Sequence, residues 1–359
     1  MKKILTNLYK LIRGFQVVLN KQNQLKSICV FYGGAIKGNI GGTLVKIKRL
    51  NSYFPEHQLS FNIVYLLSNS PYLPSFALKI LKKRKIPIVH NQNGVFYPAW
   101  YKGDYKKQNL IMASQYLKAD YVFFQSKFCK DVAEKFLGKC NVKNEILYNA
   151  VDTTKFFPLK KDIKQNEFTF LITGKFSSIH YYHLKNTILS IDSVEYNNLT
   201  FKLIIAGSIS SQLHKKIYNL INNRIINRKN ISIFGKYTQD NANILYNMAD
   251  AFIYLPHNSP CPNSVIEALS CGLPVLYSNS GGVPELVGTN CGIPLQVKNS
   301  YEIPLCPNID NVQVGIKKII DKREFFSNNA RNRAIKMFDI NIWIDKHKKV
   351  FNELLLTKT

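Results

Sequence analysis

No apolar run in these 359 residues approaches the length a helix needs to cross a bilayer, so the body of the chain is expected to be water-soluble. No two cysteines are spaced C-x-x-C, and the seven present (Cys29, Cys129, Cys140, Cys261, Cys271, Cys291, Cys306) are odd in number. That argues against a zinc or disulfide framework and for reduced thiols in a cytoplasm. No carboxylate or histidine cluster has metal-ligand spacing, so neither a metal nor another cofactor is expected. The Walker lysine arrangement and the spacing of the dinucleotide fingerprint are both missing. Acid is scarce: 22 Asp and Glu against 49 Lys and Arg leave a net charge of +27. Such a field draws anionic partners, an acidic membrane leaflet or nucleic acid. No nucleic-acid motif accompanies it, so nucleic acid is not the expected partner, and salt-sensitive binding to a duplex or single strand would be its test.

What is present is most informative at residues 257–288, HNSPCPNSVIEALSCGLPVLYSNSGGVPELVG. The apolar, β-forming residues 251–255 precede this stretch and predict a buried strand. Pro256 to Pro262 break the chain into a loop, and Asn263 or Ser264 is expected to cap a helix with Val265, Ile266, Ala268 and Leu269 on its buried face. Gly272 is placed to stop that helix, and residues 274–277 predict a second buried strand. A right-handed βαβ unit sets the loop and helix N-terminus at the carboxyl edge of its sheet, where open α/β sheets bind ligands. The amides of Asn263, Ser264 and Val265 suit a phosphate there, and Glu267, one turn in, suits a vicinal diol such as a ribose. Ser264-x-x-Glu267 also reads as a capping box that needs no ligand. Gly281-Gly282, after the second strand, are expected to let the backbone approach the same ligand.

These residues resemble the donor-binding segment of the retaining glycosyltransferases of family 4. That family carries two acidic residues with seven residues between them, then Ala-Leu/Met-x-x-Gly-x-Pro-Val and Gly-Gly-x-Pro-Glu. Glu267, Ala268, Leu269, Gly272, Pro274, Val275, Gly281, Gly282, Pro284 and Glu285 match, while the first acidic position, which contacts the transferred sugar in the family, falls on Ser259. The resemblance implies the GT-B fold: α/β, two Rossmann-like domains facing a central cleft, with a C-terminal helix crossing back to the first domain.

Several further residues take their reading from the same likeness. Gly41-Gly42, in the glycine-rich loop after a first strand at residues 27–32, match a Gly-Gly that faces donor phosphates and acceptor. His90, expected to end a strand at residues 86–90, matches the family's active-site histidine. Gly174-Lys175-Phe176 stands where the family has Gly-Arg-Leu and then a lysine, so Lys175 and the later Lys185 are the expected diphosphate-gripping cations. Tyr237 falls in the base-contacting region, and residues 146–158 resemble the family's interdomain joint, with Ala150 for its Gly.

The expected organisation is a basic amphipathic segment over 1–26, an acceptor domain over 27–158, a donor domain over 159–337 opening on a polar linker at 160–167, and a crossover helix over 338–359. Residues 1–26 hold six Lys or Arg and no acid, with Ile4, Leu8, Leu11, Phe15 and Val18 on one helical face. That face suits either a membrane interface or packing onto the first domain.

The expected function is transfer of a sugar from a nucleotide-diphosphate sugar, as a hexosyltransferase of EC 2.4, to a lipid-linked or cell-surface glycan acceptor with retention. The nucleotide sugar serves as co-substrate, no metal is required, and the expected location is cytoplasmic with room for a peripheral place on an anionic membrane. The alternatives are a catalytically silent GT-B binding protein, which Ser259 supports, and a GT-B nucleotide-sugar epimerase, whose acid/base carboxylates have no evident place.

Overall fold

The βαβ rhythm becomes two parallel sheets in the computed structural model, which describes residues 2–21, 27–38, 41–160, 166–223 and 230–357. The chain divides into one unit of Met1–Tyr148 with Asn341–Thr359 and a second of Asn149–Ile340. The division falls ahead of the joint expected near residue 158, because Asn149 already bonds into the second unit through Nδ2 to the Cys261 carbonyl. Val151 then bridges Asp339, so the chain leaves the second unit beside the point where it entered. The expected linker at 160–167 lies mostly outside the described residues, as do Lys26 and residues 39–40 of the glycine-rich loop.

The first unit holds α1 (Lys2–Leu19), β1 (Val30–Phe31), α2 (Gly42–Tyr53), β2 (Ile63–Leu67), α3 (Ser75–Lys83), β3 (Ile88–Gln92), α4 (Tyr105–Tyr116), β4 (Tyr121–Phe124), α5 (Lys127–Phe136) and β5 (Lys143–Ile146). Its sheet runs β1-β2-β3-β4-β5, all parallel. β2 to β4 are buried at every position, the pattern of strands covered on both faces. The polar edge strand β5 has no such signature and was not anticipated.

The second unit holds β6 (Glu167–Phe176), α6 (Tyr181–Ser193), β7 (Thr200–Ile209), α7 (Ser211–Asn223), β8 (Ile231–Phe234), α8 (Gln239–Asn247), β9 (Ala251–Tyr254), α9 (Asn263–Ser270), β10 (Val275–Ser278), α10 (Val283–Val287), β11 (Gly292–Leu295), α11 (Ile309–Asp321) and α12 (Arg323–Phe338). Its six parallel strands run β11-β10-β9-β6-β7-β8. The strand order therefore reverses between β6 and β9. Successive strands grow outward on one side of β6, and the chain then returns to grow outward on the other. β6 stays paired with β7 as far as Phe176↔Ile209, but its pairing with β9 covers only Phe170↔Ala251 and Leu171↔Phe252. Side chains at the carboxyl ends of β6 and β9 thus have room between them. At Gly207 a Cβ would lie 1.9 Å from the Gly174 carbonyl oxygen, so this glycine keeps β6 and β7 in register close to that edge.

The last helix, α13 (Ile340–Leu356), passes almost wholly to the first unit. His347 is enclosed there by Tyr65, Phe123, Trp343 and Phe351. No helix among the described residues is long and apolar enough to cross a membrane.

Candidate functional site

In a doubly wound sheet, ligands settle outside the carboxyl ends of the strands where the strand order reverses. Here that point lies between β6 and β9, and the loop after β9 leads into α9. The N-cap of α9 is Pro262, with no side-chain cap. Neither Asn263 nor Ser264 caps the helix, and Ser264 and Glu267 form no capping box. Proline fixes the entry φ without a side-chain acceptor, so the first-turn amides of Asn263, Ser264 and Val265 keep their donors and the dipole its partial positive charge. The Asn263 Oδ1 atom at this mouth is buried without a hydrogen-bond partner.

Glu267 does other work. It is nearly buried, and Tyr246 of α8 donates to its Oε2 across 3.0 Å. The same phenol oxygen lies 3.2 Å from Oγ1 of Thr173, on β6. Tyr237 belongs to this cluster: burial first, then the Glu267 charge, raises its pKa, while hydrogen bonds to Thr173 and Tyr246 work the other way. Burial and then Glu267 hold Tyr246 well above the ordinary phenol range. Both tyrosines therefore stay protonated, and Tyr246 orients the carboxylate. Tyr246 was missed because, in sequence, it is indistinguishable from a core aromatic on an amphipathic helix.

By strand alternation Lys175 leaves β6 on the same side as Thr173, at an exposed position. Lys185 is half-buried on α6. Ser259 places its Oγ 2.7 Å from the Tyr254 hydroxyl at the end of β9. The unit thus gathers Tyr237 and Glu267 into one network, with Lys175, Ser259 and the α9 N-terminus at the same carboxyl edge.

Gly281-Gly282 lie against the loop after β9. A Cβ on Gly281 would stand 2.5 Å from the Ser259 carbonyl oxygen and 2.6 Å from the Asn258 carbonyl carbon, and the Gly282 amide donates to that same Ser259 oxygen. The close approach within the unit is to the loop after β9. With φ at +66°, Gly281→Ala adds left-handed strain to the overlap. We expect it to lower unfolding free energy by about 3 kcal/mol. Urea denaturation of the variant checks this, and an unchanged midpoint would show the loop can move aside.

The first unit carries the other expected residues. Gly41 (φ +99°) caps α2, and Gly42 opens it; a Cβ on either would meet nothing within 4 Å, so both face open space. His90 does not end its strand: β3 continues to Gln92, and His90 lies within it, wholly buried. Its Nε2 is 2.9 Å from Gln92 Oε1, and the Gln92 amide donates to the carbonyls of Asn93 and Gly94. Because Gln92 spends its NH2 on those carbonyls, its oxygen faces His90, whose proton then sits on Nε2; Nδ1 is left without a partner. Burial pushes the His90 pKa down to about 4. Nearby, the nearly buried Lys46 of α2 donates from Nζ to Asn91 Oδ1 across 2.8 Å, and that oxygen also accepts from Gln125 Nε2. A lysine within a basic helix reads as solvated surface, so this polar network was not foreseen.

Among the described residues, no group of three or more His, Cys, Asp or Glu side chains could hold a metal ion.

Comparison with known proteins fits this geometry. The family model described as "Glycosyl transferases group 1" matches residues 154–336. The chain is 26% identical over 249 residues to a UDP-Gal:alpha-D-GlcNAc-diphosphoundecaprenol alpha-1,3-galactosyltransferase of Escherichia coli, covering 64% of this chain. It spans 59% of the length of that relative. Among solved structures, Anabaena HepE in complex with UDP superposes with a TM-score of 0.65 at 15% identity, covering 82% of this chain and 79% of HepE. A glycosyltransferase from Rickettsia africae gives 0.60 at 20% identity, covering 89% of this chain and 84% of the other. These likenesses show the fold: two parallel-sheet Rossmann-like domains of the GT-B glycosyltransferase type.

Proposed function

The chain belongs to the group 1 glycosyl transferases, and from that premise we propose that it moves a hexose from a uridine diphosphate sugar to a lipid-linked glycan, with retention at the anomeric carbon as in family 4. The observation that carries this reading is the uncapped N-terminus of α9 beside the Tyr246–Glu267 pair at the strand-order reversal. The α9 amides and the Lys175 charge stabilise the leaving diphosphate as negative charge builds on it. Glu267, aimed by Tyr246, accepts the ribose hydroxyls, and Tyr237 lies against the nucleoside. Lys185 adds a second cation from α6. On this reading the charge is neutralised without a metal.

In the first unit, Gly41 and Gly42 leave room for donor phosphate or acceptor. His90 acts through the 93–94 loop that Gln92 anchors, as a positioning residue. The choice of uracil and of a diphosphate-lipid acceptor is supported by the Escherichia coli relative's substrates and by the UDP bound to HepE.

The test is nucleotide release from UDP-, GDP- and ADP-sugars by the purified protein, with and without membrane lipid extract. We expect turnover with one UDP-hexose, an α-anomeric product by NMR from an α-linked donor, and a fall in kcat/KM of roughly tenfold in Lys175→Ala, carried mainly by kcat, the value of one lost charge-assisted contact. Turnover with only a GDP- or ADP-sugar would overturn the choice of base, and a β-anomer would overturn retention. Ser259, whose hydroxyl is engaged by Tyr254 where the family has an acid, favours one rival: UDP binding with no turnover of any donor would make the protein a silent binding module.

A further inference from the structure

Helix α1 docks on the first unit by the side opposite its apolar stripe. Val17 is fully buried, Gly14 lies against Pro74 and Phe76, and the half-buried Tyr9 donates to the Gly34 carbonyl across 2.6 Å. The half-buried Arg13 stacks on the Tyr9 ring. Arg84 ties down the end of the helix, donating to the carbonyls of Val17, Val18 and Asn20. Asn20 exchanges two hydrogen bonds with the Phe61 backbone.

With that side anchored, the apolar stripe turns outward. Ile4, Leu5, Leu8, Leu11, Ile12, Phe15, Val18 and Leu19 are all exposed, from 37% at Val18 to 72% at Ile4. At 100° per residue these eight fill one continuous arc of about 140° with no polar residue inside it. Phe15 meets Phe76 of α3 at its edge, ring centroids 6.4 Å apart, which extends the patch onto a second helix. Lys79 and Lys83 follow Phe76 on the same face of α3 and are exposed. A contiguous apolar face of this size on a water-facing surface marks something that covers it.

We propose that α1 lies in the interface of an anionic lipid bilayer, its apolar arc among the acyl chains and the lysines of α3 at the headgroups. The charges select the occupant. Residues 1–26 contain six Lys or Arg and no acid, and the chain carries +27 overall. A second copy seated on the same face would set like charge against like, whereas acidic headgroups neutralise it. Because Arg84 and Asn20 hold α1 rigidly to the first unit, the whole unit is carried to the membrane, not merely a tethered tail. The inference stands on α1 and α3 alone and survives failure of the transferase reading.

The test uses the full chain with vesicles of phosphatidylcholine alone and of phosphatidylcholine mixed with phosphatidylglycerol, read by co-sedimentation. We expect partitioning into the mixed vesicles about tenfold or more above the neutral ones. The double variant Leu8→Ser with Phe15→Ser keeps every charge and should lose about tenfold or more of that binding. Both positions are exposed, so the fold is retained. As an independent readout, Leu8→Trp should gain a fluorescence component quenched by lipids brominated on their acyl chains, over the wild-type background.

Three outcomes overturn the proposal. The wild type fails to bind mixed vesicles; the double variant binds as well as wild type, which leaves net charge alone as the cause; or wild type forms a solution dimer that the double variant dissolves, which gives the face to a second copy.

Discussion

Replacing Glu267 with alanine should reduce kcat/KM for the nucleotide sugar by on the order of 100-fold to 10,000-fold, while changing the stability of the protein little. The two halves of that result come from the same geometry. A nearly buried carboxylate, held by a phenol 3.0 Å away, has given up most of its hydration. Its burial costs folding, and the Tyr246 hydrogen bond offsets part of that, so its net contribution to stability is small, whereas its acceptor oxygens suit further donors from a ligand. A hydrogen bond to a charged acceptor is worth about 1.5–3 kcal/mol, and a ribose diol offers two, which sets the size of the loss. Glu267→Gln keeps an acceptor oxygen but not the charge and should fall between, near tenfold. Tyr246→Phe leaves the carboxylate present but unaimed, so its effect should appear in KM more than in kcat. Thermal denaturation beside steady-state kinetics separates the readings. A purely structural Glu267 would lose melting temperature and activity together, and unchanged turnover in Glu267→Ala would remove it from the site.

Acidification from about pH 6.5 to 5 should steadily destabilise the protein, through three histidines that the fold keeps neutral. His90, His183 and His347 are completely or almost completely buried, and burial pushes their pKa values down to about 4, 3 and 3. At His347, Nδ1 lies 2.7 Å from the Trp343 carbonyl, which can only accept, so the proton sits on Nδ1 and Nε2 accepts from Tyr65 at 2.9 Å. A second proton would force the Tyr65 hydroxyl to turn from donor to acceptor and would place a charge inside an aromatic cage. His183 has no partner on Nε2 and faces His180, so charging it gains nothing.

The sign follows from proton counts. Each folded-state pKa lies below the ordinary 6.5, so between those values the unfolded chain binds more protons. Stability is complete above pH 6.5 and falls as the pH drops toward 4 and then 3. Each histidine contributes about 1.4 kcal/mol per pH unit in that window. At pH 5, His90 and His347 together amount to roughly 4 kcal/mol in the first unit and His183 to roughly 2 kcal/mol in the second, a large share of the about 5–15 kcal/mol of an ordinary domain. Urea midpoints measured from pH 8 to 5 check it, with His347→Gln as the control that should flatten the slope of the first unit by about half. A midpoint independent of pH over that range would show these rings to be protonated within the fold.

Strand positions were largely legible from the chain alone. Residues 27–32, 86–90, 251–255 and 274–277 all overlap observed strands, because a strand covered on both faces needs a short run of β-branched and aromatic residues and nothing else. Gly272 stops α9 at φ +72°, as a left-handed helix end requires. The unheralded β5 shows the limit: an edge strand of Lys, Asn, Glu and Ile owes its pairing to β4 and carries no pattern of its own. The segment matched by the family model was visible as a run of Gly, Pro, Glu and Ala at fixed spacing, since backbone turns and helix ends are local demands that a sequence must meet locally.

What that segment touches was a different matter, because it depends on residues distant in the chain. Pro262, not Asn263 or Ser264, precedes α9 as its cap, and Gly281 fits against the Asn258–Ser259 backbone. Tyr246 and Thr173 reach Glu267 from other elements, and His90 sits inside β3 instead of at its tip. The amphipathic pattern of α1 was equally plain in sequence, yet its orientation was not. Periodicity says that one face of a helix is apolar; only the anchors at Arg84, Asn20 and Val17, drawn from the rest of the first unit, decide that this face points outward. Local sequence specifies which element forms, because backbone propensity and turn chemistry act over a few residues. The partner each side chain meets is chosen by long-range packing, and that is where the chemistry of this protein is assembled.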